Sequence, residues 1–236
     1  MTRTDPYPAT SDLAVDGGPG ALRRSDRLGA AAGAVFVACI LAGNSMTESV
    51  VGSDTSSVGT AADLAAQATS GVVRAGLVLE LVGLVLLVVF AVTSAALGWR
   101  RTGADVLPGL VAGAGIVVAA VKLGSAAPYI AALTTDGMAA ELRHALVQTN
   151  DAAFVLTWLP YAVLVGSMAA LLFRAGLVGR ALAGIGLMLA GLGLLAALAG
   201  FSSPATAVPL PFLFSLLWTF AVSVRVAAHR ANAAAV

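Results

Sequence analysis

The chain has 236 residues, 59% hydrophobic and 11% charged, with a formal net charge of +1, and its mean hydropathy is +0.94. Soluble domains carry about 25% charged and roughly 45–50% apolar residues. A single core of this length cannot hide so much apolar surface, so the solvent for most of it is lipid, and a near-zero charge offers no footprint for nucleic acid.

The first 27 residues, MTRTDPYPATSDLAVDGGPGALRRSDR, are polar and rich in Pro, Gly and Asp. They have no apolar segment like that of a signal peptide and read as a disordered tail. An apolar run of about 20 residues crosses a bilayer as a helix, and six such runs follow: 28–46, 75–98, 108–131, 152–173, 181–200 and 208–228. Residues 28–230 form the transmembrane domain and 231–236 a second tail. Cys39, the single cysteine, lies in the first run, where it reads as a small buried apolar residue. His144 and His229 stand far from any partner at ligand spacing, so no metal or cofactor site is expected.

The connections alternate in charge. Arg23, Arg24 and Arg27 precede the first run, Arg100 and Arg101 follow the second, Arg174 and Arg180 bracket the fourth turn, and Arg225 and Arg230 close the sixth. The opposite connections carry only Arg74 and Arg143, with Glu48, Asp54, Asp63, Asp136, Glu141 and Asp151. The positive-inside rule then places both termini in the cytoplasm of a plasma-membrane protein.

The two longer outer connections each predict a short helix. GTAADLAAQATSG takes Thr60 as N-cap with Asp63 in its first turn. TTDGMAAELRHALVQTND is amphipathic, with Met138, Leu142, Ala145 and Leu146 on one face and Glu141, Arg143, His144 and Gln148 on the other. Asn150 and Asp151 then cap the fourth span. Small residues four apart let helices approach closely in lipid. The pairs are Gly29/Gly33, Gly109/Gly113, Gly186/Ala190 and Gly193/Ala197. They serve packing within the bundle first and homo-oligomerisation or a membrane-protein partner second.

Two charges interrupt the runs. Glu80 lies in AGLVLELVGLVLLVVFAV on a face shared with Gly76, Gly83 and Leu87, roughly 9 Å inside the outer boundary at 1.5 Å per residue. Lys122, the sole lysine, lies in GIVVAAVKLGSAAPYIAAL on a face with Gly115, Ala119, Ala126 and Tyr129, roughly 12 Å deep. Its stem can lift the ammonium to the level of Glu80. Since an isolated charge at mid-membrane costs roughly 2.5–3.5 kcal/mol, an ion pair between adjacent helices is expected. Pro128 frees the Gly124 carbonyl nearby as a further acceptor. Pro160, in LTWLPYAVL, predicts a kink that frees the Leu156 carbonyl. Trp158 and Tyr161 flank it and Thr157 stands beside it, either packing the kink or lining a cavity. No HExxH, GxSxG, GxxxxGK[ST] or intramembrane aspartate pair is present, so no catalytic residue is assigned.

The stretches RLGAAAGAVFVACILAG, GVVRAGLVLELVG after an outer loop with Asp63, and LLFRAGLVGRALAGIGLMLAG resemble a domain-of-unknown-function family of six-span membrane proteins from high-GC Gram-positive bacteria. The resemblance covers nearly the whole chain after Asp26. The family turn carries a proline before its second arginine, where this chain has Gly179. The resemblance implies a six-span fold and no known activity. The residues therefore predict an all-α bundle acting as a non-enzymatic accessory or sensor protein. A small proton- or ion-linked transporter using Glu80 and Lys122 is the alternative, and an intramembrane enzyme of unfamiliar type the third.

Overall fold

A computed structural model describes residues 22–48, 57–103, 106–202 and 209–229. They form α1 (Arg24–Glu48), α2 (Ser57–Thr69), α3 (Gly71–Thr102), α4 (Val106–Thr134), α5 (Ala140–Arg174), α6 (Arg180–Ser202) and α7 (Leu210–Ala227), with no strand among the described residues. All but α2 are long and apolar enough to cross a membrane.

Several expectations change at the helix ends. α1 begins four residues before the predicted span, at Arg24. Asp26 accepts from the Arg23 amide at 3.2 Å and pairs with Arg100 at 2.6 Å. Most of the expected N-terminal tail, and residues 230–236, lie outside the described residues, as does Asp54. α2 begins at Ser57, so Thr60 lies inside the helix rather than capping it, and Asp63 sits mid-helix. The second outer helix is not separate: α5 runs unbroken from Ala140 to Arg174. Asn150 and Asp151 are therefore interior helical positions, since nothing in ELRHALVQTNDAAF breaks the ladder and the amphipathic segment continues straight into the span. Only one of the two outer helices, α2, stands alone.

The helix termini follow local chemistry. Ser70 caps α3, its hydroxyl accepting from the Val73 amide at 3.4 Å. Arg100 and Arg101 occupy the last turn of α3, where cations meet the negative end of the helix dipole. α5 ends at Arg174, and two residues on, Gly176 has a φ of +69° that lets the Leu177 amide turn back to the Leu172 carbonyl at 2.9 Å. This reversal needs a residue without a Cβ.

The spans close into a ring in the order α1, α3, α4, α5, α6, α7, with α7 returning to α1. α5 is the most buried span and also touches α3 and α7. The core centres on Leu87, Phe90, Leu164, Met168 and Leu172. Large apolar residues such as Val85, Ile116, Leu195 and Phe214 stay exposed on the outside of the ring, far more than a water-soluble surface carries.

Glycines set the closest approaches. A Cβ on Gly98 would stand 2.5 Å from Leu171 Cγ, one on Gly186 2.5 Å from Trp218, and one on Gly115 2.5 Å from Ala91 Cβ. Gly29 and Gly33 pack against Thr93, Phe90 and Ser223, and Gly193 meets Ala162. The predicted pair Gly109/Gly113 does not join helices within the chain: a Cβ at either position meets nothing within 4 Å. α4 approaches α3 through Gly115 instead.

Arg27, Arg101, Arg225 and His229 share the end of the bundle that carries both described termini, where all three arginines act electrostatically on the imidazole. Arg101 also donates to the Ala175 carbonyl there at 3.2 Å. α2 lies at the opposite end, packed on α5, α4 and α3.

Candidate functional site

Glu80 is placed by close packing of α1 on α3. A Cβ on Gly43 would come 2.6 Å from Glu80 Cγ and 2.8 Å from the Gly76 carbonyl. On the other side of the acid, one on Gly83 would meet Cys39 Cβ at 3.1 Å. The glycines flanking Glu80 thus admit α1, and Thr47 brings its hydroxyl to 3.5 Å from Glu80 Oε1 while donating more closely to the Asn44 carbonyl at 2.9 Å.

Lys122 reaches the same space from α4. Its Nζ stands 4.9 Å from the centroid of Phe154, a cation–π distance. Ser125 donates to the Lys122 carbonyl at 2.9 Å, which occupies a backbone acceptor in the turn before Pro128. α4 remains helical through that proline. Glu80 and Asp151 both act electrostatically on Lys122, although Asp151 is exposed and outside the cavity wall.

Glu80 and Lys122 face one cavity of about 390 Å³, its open mouth included. Five spans build its wall: α1 supplies Asn44, α3 Glu80, α4 Lys122, α5 Thr157 and Tyr161, and α7 Phe212, with apolar neighbours between them. A single apolar, aromatic-rich pocket with a few convergent polar groups is the usual form of a small-molecule site. Neither Asn44 nor Phe212 was singled out from sequence. Asn44 lies at the end of an apolar run, where polar residues are ordinary, and Phe212 is one of many apolar residues in α7.

The aromatic residues form one cluster. Phe154 meets Trp158 edge-on at 5.7 Å and Phe212 at 5.4 Å, while Trp158 stacks on Phe212 at 6.3 Å and Tyr161 leans on it at 5.2 Å. Trp158, Tyr161, Phe212 and Ser215 line a second, smaller space of about 10 Å³ enclosed, and Tyr161 and Phe212 border both. The Trp158 indole N–H is buried without an acceptor, a rare state for a polar group in a folded chain. Thr157 donates to the Ala153 carbonyl at 2.8 Å. Pro160 lines neither space, and α5 remains helical through it.

From Tyr161 a row of hydroxyls descends α7. The Tyr161 hydroxyl lies 2.9 Å from Thr219 Oγ1, and Ser215, Thr219 and Ser223 each donate to the carbonyl four residues back at 2.7–2.9 Å. Their protons are thus held by their own helix.

α2 covers this end of the bundle. Leu64 and Gln67 are buried, and the Tyr129 hydroxyl donates to Gln67 Oε1 at 2.5 Å. Arg74 donates to the Ala68 carbonyl at 2.8 Å, tying α2 to the start of α3. Gln67 escaped notice in the sequence because one polar residue in AADLAAQATS looks like a solvated face.

Among the described residues no group of three or more His, Cys, Asp and Glu could hold a metal. No protein-family model, curated protein or solved structure matches the chain.

Proposed function

We propose that the protein is a non-enzymatic membrane sensor or accessory protein of the plasma membrane, with both termini cytoplasmic and the Glu80–Lys122 cavity as its ligand-binding site. One observation carries the reading: charged groups from α3 and α4 line one cavity in the middle of the ring, while toward the terminal end Leu87, Phe90, Leu164 and Met168 are fully buried. Such a site is open to one side at most. α2, held by Gln67 and Tyr129, serves as its lid, and displacement of that lid is the signal passed to a partner. The arginines gathered at the terminal end support the assigned orientation. The resemblance to a six-span family of high-GC Gram-positive bacteria agrees with this architecture and adds no activity.

A small transporter using Glu80 and Lys122 is the second reading. The hydroxyl row from Tyr161 to Ser223 favours it, yet each α7 hydroxyl spends its proton on its own helix, which leaves no free donor to pass one onward. Reconstituted vesicles with an internal pH-sensitive dye decide between the two. The sensor reading expects no flux beyond that of empty vesicles. A proton flux that disappears on Glu80→Gln, in protein shown to be folded, would overturn it.

A further inference from the structure

We infer that the Glu80–Lys122 cavity takes a small zwitterion with an apolar body, of the size and charge of an aliphatic α-amino acid. The inference rests on the reading of this cavity as a ligand site and adds the chemical class. Its wall carries one carboxylate and one ammonium, from different helices, and no further acid or base. With both ionised the wall is neutral. A ligand bearing a single charge would leave the cavity with a net charge in a medium of low dielectric, where uncompensated charge is costly. A zwitterion leaves the sum at zero. Its ammonium faces Glu80 and its carboxylate faces Lys122, so every charge keeps an opposite neighbour.

The remaining wall sets the body of the ligand. Phe36, Ile40, Leu84, Val118 and Phe212 are apolar, and the Phe154 ring beneath the Lys122 ammonium stands nearly perpendicular to Phe212. An aliphatic side chain buries against these residues, whereas a sugar or a polyol would leave its hydroxyls unpaired there. The enclosed space is only about 20 Å³, about what one water needs, so a ligand of this size is admitted only when the cavity opens. That opening is assigned to the α2 end of the bundle, where the Tyr129 hydroxyl ties α4 to Gln67 of α2.

Three probes that share one branched aliphatic body test the charge requirement on the full chain in detergent, by calorimetric titration. They are L-leucine, 4-methylpentanoate (no ammonium) and 3-methylbutylamine (no carboxylate). Wild-type protein should bind leucine at least about tenfold more tightly than either single-charge analogue, a difference of about 1.4 kcal/mol. Glu80→Gln leaves a net positive wall and should shift the preference to 4-methylpentanoate. Lys122→Met leaves a net negative wall and should shift it to 3-methylbutylamine. Either analogue binding wild type as tightly as leucine overturns the zwitterion assignment while leaving a ligand site in place. Leucine binding that survives both substitutions unchanged also overturns it. Absence of binding by all three probes overturns the ligand-site reading together with the inference. The wild-type comparison decides the matter even where a variant fails to fold.

Discussion

At the scale of single residues, the charge pair and its glycine neighbours make separable predictions. Glu80→Gln removes a carboxylate acting on Lys122 and should lower the unfolding midpoint in detergent. Adding Lys122→Met should restore part of the loss, because a double neutral replacement leaves no orphaned charge. Groups that interact show coupling energies of about 0.5–3 kcal/mol in such a cycle; strictly additive losses would mean that the two side chains do not interact. Gly43→Ala drives a Cβ to 2.8 Å from a backbone carbonyl and 2.6 Å from Glu80. Overpacking of this kind costs about 1–3 kcal/mol. Gly113→Ala meets open space and should be neutral or stabilising by up to about 1 kcal/mol through helix propensity. Equal midpoints for the two alanine variants would refute the close α1–α3 approach.

His229 gives a pH dependence outside the spans. Burial, then Arg101, Arg225 and Arg27, hold its imidazole below the ordinary value of 6.5. The unfolded chain then binds the proton more readily than the folded one, so stability rises with pH across the interval. It should be unaffected above about 6.5 and decline as pH falls toward the lowered folded value. Midpoints measured from pH 7.5 to 5 should show a decline that flattens in His229→Gln; identical profiles would show that the arginines do not act on it.

At the scale of elements, α2 is the one helix among the described residues too short to span, and it is held by packing on α5, α4 and α3 and by the Gln67 contact. Tyr129→Phe removes the hydroxyl that donates to Gln67. A net hydrogen bond is worth about 0.5–1.5 kcal/mol, so α2 amides should exchange with deuterium several-fold faster, up to about tenfold, while α3 and α5 amides remain unchanged. Equal exchange in α2 would show that Leu64 and its apolar contacts hold the lid alone. The unbroken α5 has its own consequence. Because the amphipathic segment and the span are one helix, the helix on which α2 packs also carries Phe154 and Tyr161.

At the scale of the whole molecule, the orientation is open to direct measurement. In a Cys39-free background, a cysteine at position 141 should react in intact cells with an impermeant maleimide, and one at position 101 should react only after permeabilisation. The reverse pattern would invert the bundle and turn the cavity to the cytoplasm. The ring order brings α1 and α7, the first and last spans, side by side. Charges from four separate connections thereby meet at one end.

The six spans and the grouping of the arginines were legible in the sequence, because lipid imposes a length and a polarity on each segment separately and neither depends on the others. Glu80 and Lys122 stood out for the same reason: a charge in an apolar run is conspicuous without knowing its neighbours. The glycines around Glu80 correctly announced a close helix. The identical-looking spacing at Gly109 and Gly113 meets no other helix of the chain, since the rotation of a helix that is apolar all round is set by the helices beside it. Helix ends were misplaced at Thr60, Asn150 and Asp151, where polar residues can cap or continue a helix and the flanking chain decides. The tertiary structure alone decided that Asn44, Thr157, Tyr161 and Phe212 join the two charges around one cavity, and that Gln67 docks on Tyr129. A cavity is what five separate helices leave unfilled between them, and no single segment of the sequence contains it.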